Sequence, residues 1–271
     1  MKQVSPMKNR RQRREIEPPL HGELRRALDD DEIALLFQPQ VAFATDRIAG
    51  VEALVRWRHP EHGQLGAGTL FAVAPRAGSL VELSTHIHRK ALAEAMSWPD
   101  ALSHLTVAVN VTAADIAASG FAAHFLDIVE QSGLDPARLT LEVTEGGLIG
   151  DIAEAAAILS RLREAGLKIA IDDFGTGYSS LAYLKNLPLD CLKIDKHFSR
   201  DIAGNARDRA IVRGVIRIAR DIGLAVVAEG VESEEQKRLL AEEGCDFYQG
   251  YLCSPPVDSR RLAELVRAQD D

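Results

Sequence analysis

Eight short apolar stretches recur along the chain, and nearly every one carries a polar residue toward its end. They read "IALLFQPQVAF", "IAGVEALVRW", "LTVAVNV", "LTLEVTE", "KIAIDDF", "CLKIDK", "AVVAEGV" and "FYQGY". Rich in β-branched residues and short for helices, they are expected to form strands. Between most of them lie patterns of helical period. Two examples are "DIAEAAAILSRLREAG", closing on Gly166, and "DRAIVRGVIRIARDIG", closing on Gly223, the usual way for a helix to end. Strands buried on both faces and separated by helices make a mainly parallel sheet with helices outside. This many strands without an internal break favour a closed barrel over an open doubly wound sheet. A length of 271 residues suits such a barrel, which takes about 250.

The polar residues sit at matching places. Glu52 lies in "VEALVRW", Asn110 in "VAVNV", Glu142 in "LTLEVTE", Lys193 in "CLKID" and Glu229 in "VVAEG", while Asp172 and Asp173 follow "KIAI". In a parallel barrel all carboxyl ends open on one face, where active sites are built from several strands. Side chains alternate along a strand, so Glu52, Leu54 and Arg56 share a face, as do Glu142 with Thr144 and Lys193 with Asp195. Their neighbours Leu141, Val143, Leu192 and Ile194 suit the helix-packed side. One glutamate near a strand end is usually a loop-facing or salt-bridged residue. Five carboxylates and an asparagine in register are different, because Lys193 and Arg56 neutralise only two of them. All-oxygen donors suit magnesium or manganese rather than zinc. His86 and His88 in "STHIHRK" do not make a zinc pair, since residues two apart point to different sides of a helix. Adjacent aspartates suit two ions, one bridging and one terminal, as in two-metal phosphoryl transfer.

Composition narrows the classes. The net charge of −8 argues against general nucleic-acid binding, so positive charge for an anionic substrate must be local. No apolar run is long enough to span a membrane, and no signal peptide is legible. Cys191, Cys245 and Cys253 have no zinc spacing and suit a reduced, cytoplasmic protein. No strand is followed by a dinucleotide-binding glycine motif or a P-loop. The basic run "KNRRQRRE" precedes Pro18 and Pro19. Residues 1–19 are therefore expected to form a flexible tail or linker, and residues 20–271 the folded domain.

The segments together resemble the EAL-domain cyclic di-GMP phosphodiesterases. The likeness begins at "FQPQ" and "VEALVRW" and runs through "VNVTAADI", "LEVTE", "IDDFGTGYSSLAYL", "LKIDKHF", "VVAEGVES" and "YQGYLCSPP", covering about residues 30–260. The resemblance implies a modified TIM (β/α)8 barrel whose first strand is antiparallel. It also implies hydrolysis of cyclic di-GMP to linear pGpG by in-line attack of water, with two Mg2+ or Mn2+ ions. Glu52, Asn110, Glu142 and Asp172 would hold the first ion, and Asp172, Asp173 and Glu229 the second. Lys193 would contact the attacking water. Gln38, Arg56, Asp195 and Gln249, with the backbone at Leu54, would contact substrate. Glu145 would steady the glycine loop "DFGTGYSS". A homodimer through the helices after that loop is a further implication, as is an upstream sensor or GGDEF domain if the chain is a fragment. The alternative is a catalytically silent EAL module that binds cyclic di-GMP or a protein partner. Departures from the family pattern are Ala67 and Ala72 at usual prolines, Pro75 at a usual glutamate and Gly146 beside Glu145. Pro75 is expected to kink its helix or end it early.

Overall fold

The computed structural model describes residues 20, 22–77, 79–144, 151–175 and 180–269. The basic segment 1–19, Glu145, Gly146 and residues 176–179 of the glycine loop lie outside the described residues.

All eight apolar stretches form strands: β1 (Ile33–Ala42), β2 (Arg47–His59), β4 (Thr106–Val111), β5 (Leu139–Thr144), β6 (Lys168–Phe174), β7 (Cys191–Ile194), β8 (Ala225–Ala228) and β9 (Phe247–Gln249). A ninth, β3 (Gly63–Gly66), was not legible. Its "GQLG" has no strand propensity and exists as the return limb of a hairpin on β2, pairing Arg56 with Gly66 and His59 with Gly63. The sheet order is β1-β9-β8-β7-β6-β5-β4-β2-β3, and pairing of β1 with β2 closes it. Strands β2 and β4 to β9 pair in parallel. β1 runs antiparallel to β9, with Gln40 opposite Gln249. The expected barrel with a reversed first strand is therefore present.

Within each central strand, alternation divides the residues as expected. Val107, Val109, Leu141, Ile169, Ile171 and Leu192 are wholly buried. A large aliphatic side chain removed from water contributes about 1.5–3 kcal/mol, so this outer layer is the main stabilising term. Glu142 and Lys193 take the opposite, inward parity, and both are 1% exposed.

By its internal contacts the chain forms two compact units. The larger comprises Leu36–Leu54 and His88–Asp271. The smaller comprises the residues up to Leu35 together with Val55–Ile87. It contains the helix Leu24–Asp29, the hairpin arm and the helix Ala67–Ala77. There Trp57 Nε1 donates to Glu32 at 2.9 Å, and the buried His59 ring meets Glu23 at 2.9 Å. Pro75 lies inside the helix, which ends two residues later at Ala77. The helix thus runs through the proline and two residues past it.

The tightest backbone approach follows β9. A Cβ added to Gly250 would lie 2.1 Å from the Val231 oxygen and 2.3 Å from its nitrogen. Both atoms are committed, since Val231 N donates to Gln249 O and Leu252 N donates to Val231 O. Gly250→Ala should therefore destabilise the protein by about 3 kcal/mol through overpacking. Gly214→Ala, mid-helix in open space, should be neutral or stabilising. Urea denaturation midpoints of the two variants check the contrast.

Candidate active site

Lys193 is the centre of the site. β7 carries it inward, with Val227 of β8 beside it in register. Its ammonium lies 2.7 Å from Glu229 Oε1, 2.8 Å from Glu142 Oε2, 3.2 Å from Glu52 Oε2 and 3.3 Å from Asp172 Oδ1. Glu52 comes from β2, Glu142 from β5 and Asp172 from β6, and Glu229 directly follows β8. Glu229 is held there because its backbone N–H donates to Ile194 O at 3.0 Å. Five of the residues singled out by their strand positions are thus brought together.

The carboxyls are not equivalent, and amide donors add to the ammonium's effect on one of them. Glu52 accepts from Asn110 Nδ2 at 2.8 Å and from Gln249 Nε2 at 2.7 Å, as well as from Lys193. Burial pushes its pKa up, but Lys193 and these amides outweigh burial and hold it below the usual range. Glu142 has only the ammonium to set against burial and the neighbouring Glu52 and Asp172 charges, and its pKa is pushed well up. Glu229 is raised to about 7, by burial above all. Burial also works against the Lys193 charge. The four carboxylates prevail, led by Asp172, and keep the ammonium protonated well beyond its ordinary range.

Asp172 and Asp173 pose a geometric problem, because adjacent strand residues face opposite ways. A register irregularity between Ile171 and Phe174 in the β6–β7 ladder resolves it. Asp173 adopts a left-handed backbone, φ 55°, an unusual state that aspartate tolerates better than most residues. Its N–H donates to Asp172 Oδ1 at 2.9 Å. As a result, oxygens of Asp172, Asp173 and Glu229 lie within 4.8 Å of one another. The Asp173 pKa is raised by partial burial and then by Asp172 and Asp195.

Above this layer opens a cleft of about 330 Å³, whose lining includes Gln38, Glu52, Leu54, Asp172, Glu229 and Gln249. Gln249 Nε2 also donates to Gln38 Oε1, and Gln40 Nε2 donates to Gln249 Oε1, both at 3.0 Å. Behind the layer, among the first residues of the strands, lies a second hollow of about 210 Å³ bounded by Thr106, Thr140, Cys191, Glu142 and Lys193. Asp195 neighbours Asp173 but is engaged as a helix cap. Its Oδ1 accepts from His197 N at 2.8 Å and pairs with the His197 ring, which helps hold its pKa down despite burial. Arg56 belongs to the smaller unit, where its guanidinium donates to the Val55 carbonyl at 2.8 Å. Glu145 lies outside the described residues. Sequence reasoning missed Lys196, Glu232 and the two-thirds exposed Tyr251 in the cleft wall. They stand beside residues it chose, in "KIDK", "EGVE" and "QGY", but past the strand ends, Lys196 at a helix start and the others in connecting segments, where strand parity assigns no direction.

Comparison with known proteins agrees with this arrangement. The EAL domain profile matches residues 21–256. The chain is 42% identical over 250 residues to the cyclic di-GMP phosphodiesterase NbdA of Pseudomonas aeruginosa, covering 92% of this chain and 32% of that protein. It is 41% identical over 257 residues to an uncharacterised Mycobacterium tuberculosis protein, covering 94% of this chain and 41% of the other. It therefore spans less than half the length of these relatives. Among solved structures, the c-di-GMP complex of the PaMucR phosphodiesterase superposes with a TM-score of 0.85 at 37% identity, over 90% of this chain and 99% of the other. MucR is likewise a Pseudomonas aeruginosa protein. Profile, relatives and barrel coincide over nearly the whole folded chain, which belongs to the EAL domain family.

Proposed function

We propose that this chain is a metal-dependent phosphodiesterase that hydrolyses cyclic di-GMP to linear pGpG. The observation that carries the reading is the surplus of negative charge in the site. Four carboxylates meet one ammonium, and two of the four have pKa values pushed up by burial and by neighbouring carboxylates that the shared ammonium does not offset. Oxygens of Asp172, Asp173 and Glu229 are close enough to share a cation, and oxygen-only donors fit magnesium or manganese. Glu52, Asn110, Glu142 and Asp172 would hold one ion, and Asp172, Asp173 and Glu229 the other. When bound, the ions supply Lewis acidity toward phosphoryl oxygens. The chain does the rest. Gln38, Gln249 and the Leu54 backbone orient the ligand in the cleft, with Arg56 and Asp195 as further contacts and Glu145 steadying the glycine loop. Lys193 donates a hydrogen bond to the water that attacks phosphorus.

The reading includes a reduced cytoplasmic setting, in keeping with three free cysteines. It also includes a homodimer, supported by exposed Leu181 on the helix Ser180–Asn186 and by exposed Ile211 and Ile218 on the helix Ala206–Asp221. Among the described residues no helix is long and apolar enough to cross a membrane. The relatives' greater length is consistent with a sensor or GGDEF domain elsewhere in the full protein. Residues 1–19 would then be a linker.

The direct test is incubation with cyclic di-GMP and manganese, with products separated by chromatography. pGpG should appear with magnesium or manganese and stop with chelator. Calcium, with longer and looser coordination, should bind without supporting turnover. Folded, manganese-saturated protein that leaves cyclic di-GMP intact would replace this reading with the silent binding module.

Lys193→Ala removes the ammonium that, among the described residues, pairs with these carboxylates. Breaking such a buried pair costs about 3–5 kcal/mol, so the metal-free variant should melt well below the parent and recover with saturating manganese. Its kcat should fall far more than its KM rises, since a group acting on the attacking water is felt mainly in the transition state. Thermal melts and steady-state kinetics check both parts.

The raised carboxyls also make metal-free stability depend on pH. Glu142 and Glu229 bind protons more tightly folded than unfolded, so their contribution is complete below about pH 4.5, the ordinary glutamate range. It is lost as pH rises through the folded values, about 7 for Glu229. In chelator the protein should therefore be less stable at pH 8 than at pH 5.5. Saturating manganese should abolish or reverse the trend, because metal replaces the protons. Calorimetric Tm values at the two pH values, with and without metal, measure it.

A further inference from the structure

The ladder between β2 and β4 ends at Ala53 opposite Val109. The ladder between β4 and β5 continues through Asn110 opposite Glu142. Asn110 is thus past the end of one of its two ladders, where a buried carbonyl needs another donor. His88, on the helix Leu80–Met96 and 2% exposed, supplies it. Its Nε2 lies 2.9 Å from the Asn110 carbonyl oxygen. A carbonyl only accepts, so Nε2 carries the proton and the tautomer is fixed. The ring itself is held edge-on by Phe125, 5.1 Å between centroids. Two residues beyond Asn110, the turn is pinned again. Thr112 N and Oγ1 donate to Asp115 Oδ2 at 2.8 and 2.7 Å, and Asp115 N donates to Thr112 Oγ1 at 3.2 Å. Between these anchors, the Asn110 amide reaches Glu52 Oε1 at 2.8 Å.

We propose that His88 is a positioning residue: by holding the Asn110 carbonyl it sets where the Asn110 amide stands beside Glu52, and so the oxygen geometry at which a divalent cation is held. The inference rests on the functional reading above. The physical need is tolerance, since a site must be held to about 0.5 Å and 10–20° to work. The peptide that carries Asn110 has no ladder partner on one side to impose that. The pair His86 and His88 was unpromising as a zinc site. Its second member serves the opposite purpose, donating a proton to the backbone of a residue placed among the metal-holding groups.

Manganese affinity, measured by titration calorimetry on the whole chain, is the primary readout. His88→Leu keeps an apolar body but has no donor, and should weaken manganese binding by about 10–100-fold, the range for groups that orient metal ligands. His88→Gln places an amide N–H at a similar reach and should recover most of the affinity. In an Asn110→Ala background the His88→Leu change should have no further effect, because the residue through which it acts is gone. Equal losses with and without Asn110 would mean that His88 only supports the fold, and unchanged affinity in His88→Leu would overturn the inference outright. Parent protein that binds no manganese would overturn the functional reading instead, which separates the two failures. Should His88→Leu not fold, His88→Asn takes its place, its amide too short to reach the carbonyl. The expected and overturning results are the same.

Discussion

One buried ammonium organises the inner layer of this barrel. Lys193 is 1% exposed, and an unpaired lysine there would lose its proton or unfold the sheet around it. It keeps its charge because Glu52, Glu142, Asp172 and Glu229 approach from separate strands or strand ends. The strands can close around the charge only in a register that presents these carboxylates together. The closed barrel brings these carboxylates together, and the same contacts leave the layer short of positive charge. A buried network of this kind is weak support for stability. Its consequence is an inner layer arranged to receive cations.

Within the layer, hydrogen bonding adds to charge in separating the roles of chemically identical groups. The Lys193 charge, with hydrogen bonds from Asn110 and Gln249, holds the Glu52 pKa below the usual range against burial, while Glu142 and Glu229 take the strain of burial. Gln249 is tied to Gln38 and Gln40 of the reversed strand, so the antiparallel β1 has a purpose beyond closing the ring. It carries glutamines to the place where β9 ends. The layer also separates two hollows, the cleft above and a smaller one behind. Gly50 and Ala170 are among the residues that line that lower space.

Three of the departures from the family pattern, Ala67, Ala72 and Pro75, fall in the smaller unit, and the fourth, Gly146, lies outside the described residues. Pro75 lies inside a helix that ends at Ala77, and Ala72 and Pro75 are exposed. Backbone requirements are sharper near the site. Gly250 is excluded from bearing a side chain by Val231, and Asp173 accepts a left-handed conformation to turn its carboxyl beside that of Asp172.

The sequence by itself determined the element order and the parity of the strands. Apolar runs with one polar residue each have few other ways to bury themselves, and alternation makes Glu142 and Lys193 inward once Leu141 and Leu192 face the helices. It determined that carboxylates would meet, because their positions match along parallel strands. Only the tertiary structure decided the rest. β3 has no propensity of its own and exists through pairing with β2. The convergence of Asp172 and Asp173 depends on a ladder irregularity that no residue pattern announces. Which carboxyl is charged depends on an ammonium and amides from distant strands, and His88 finds the Asn110 carbonyl across 22 residues of chain. Local periodicity is a property of neighbours in sequence. Hydrogen-bond partners and desolvation are properties of neighbours in space, and those exist only once the barrel has closed.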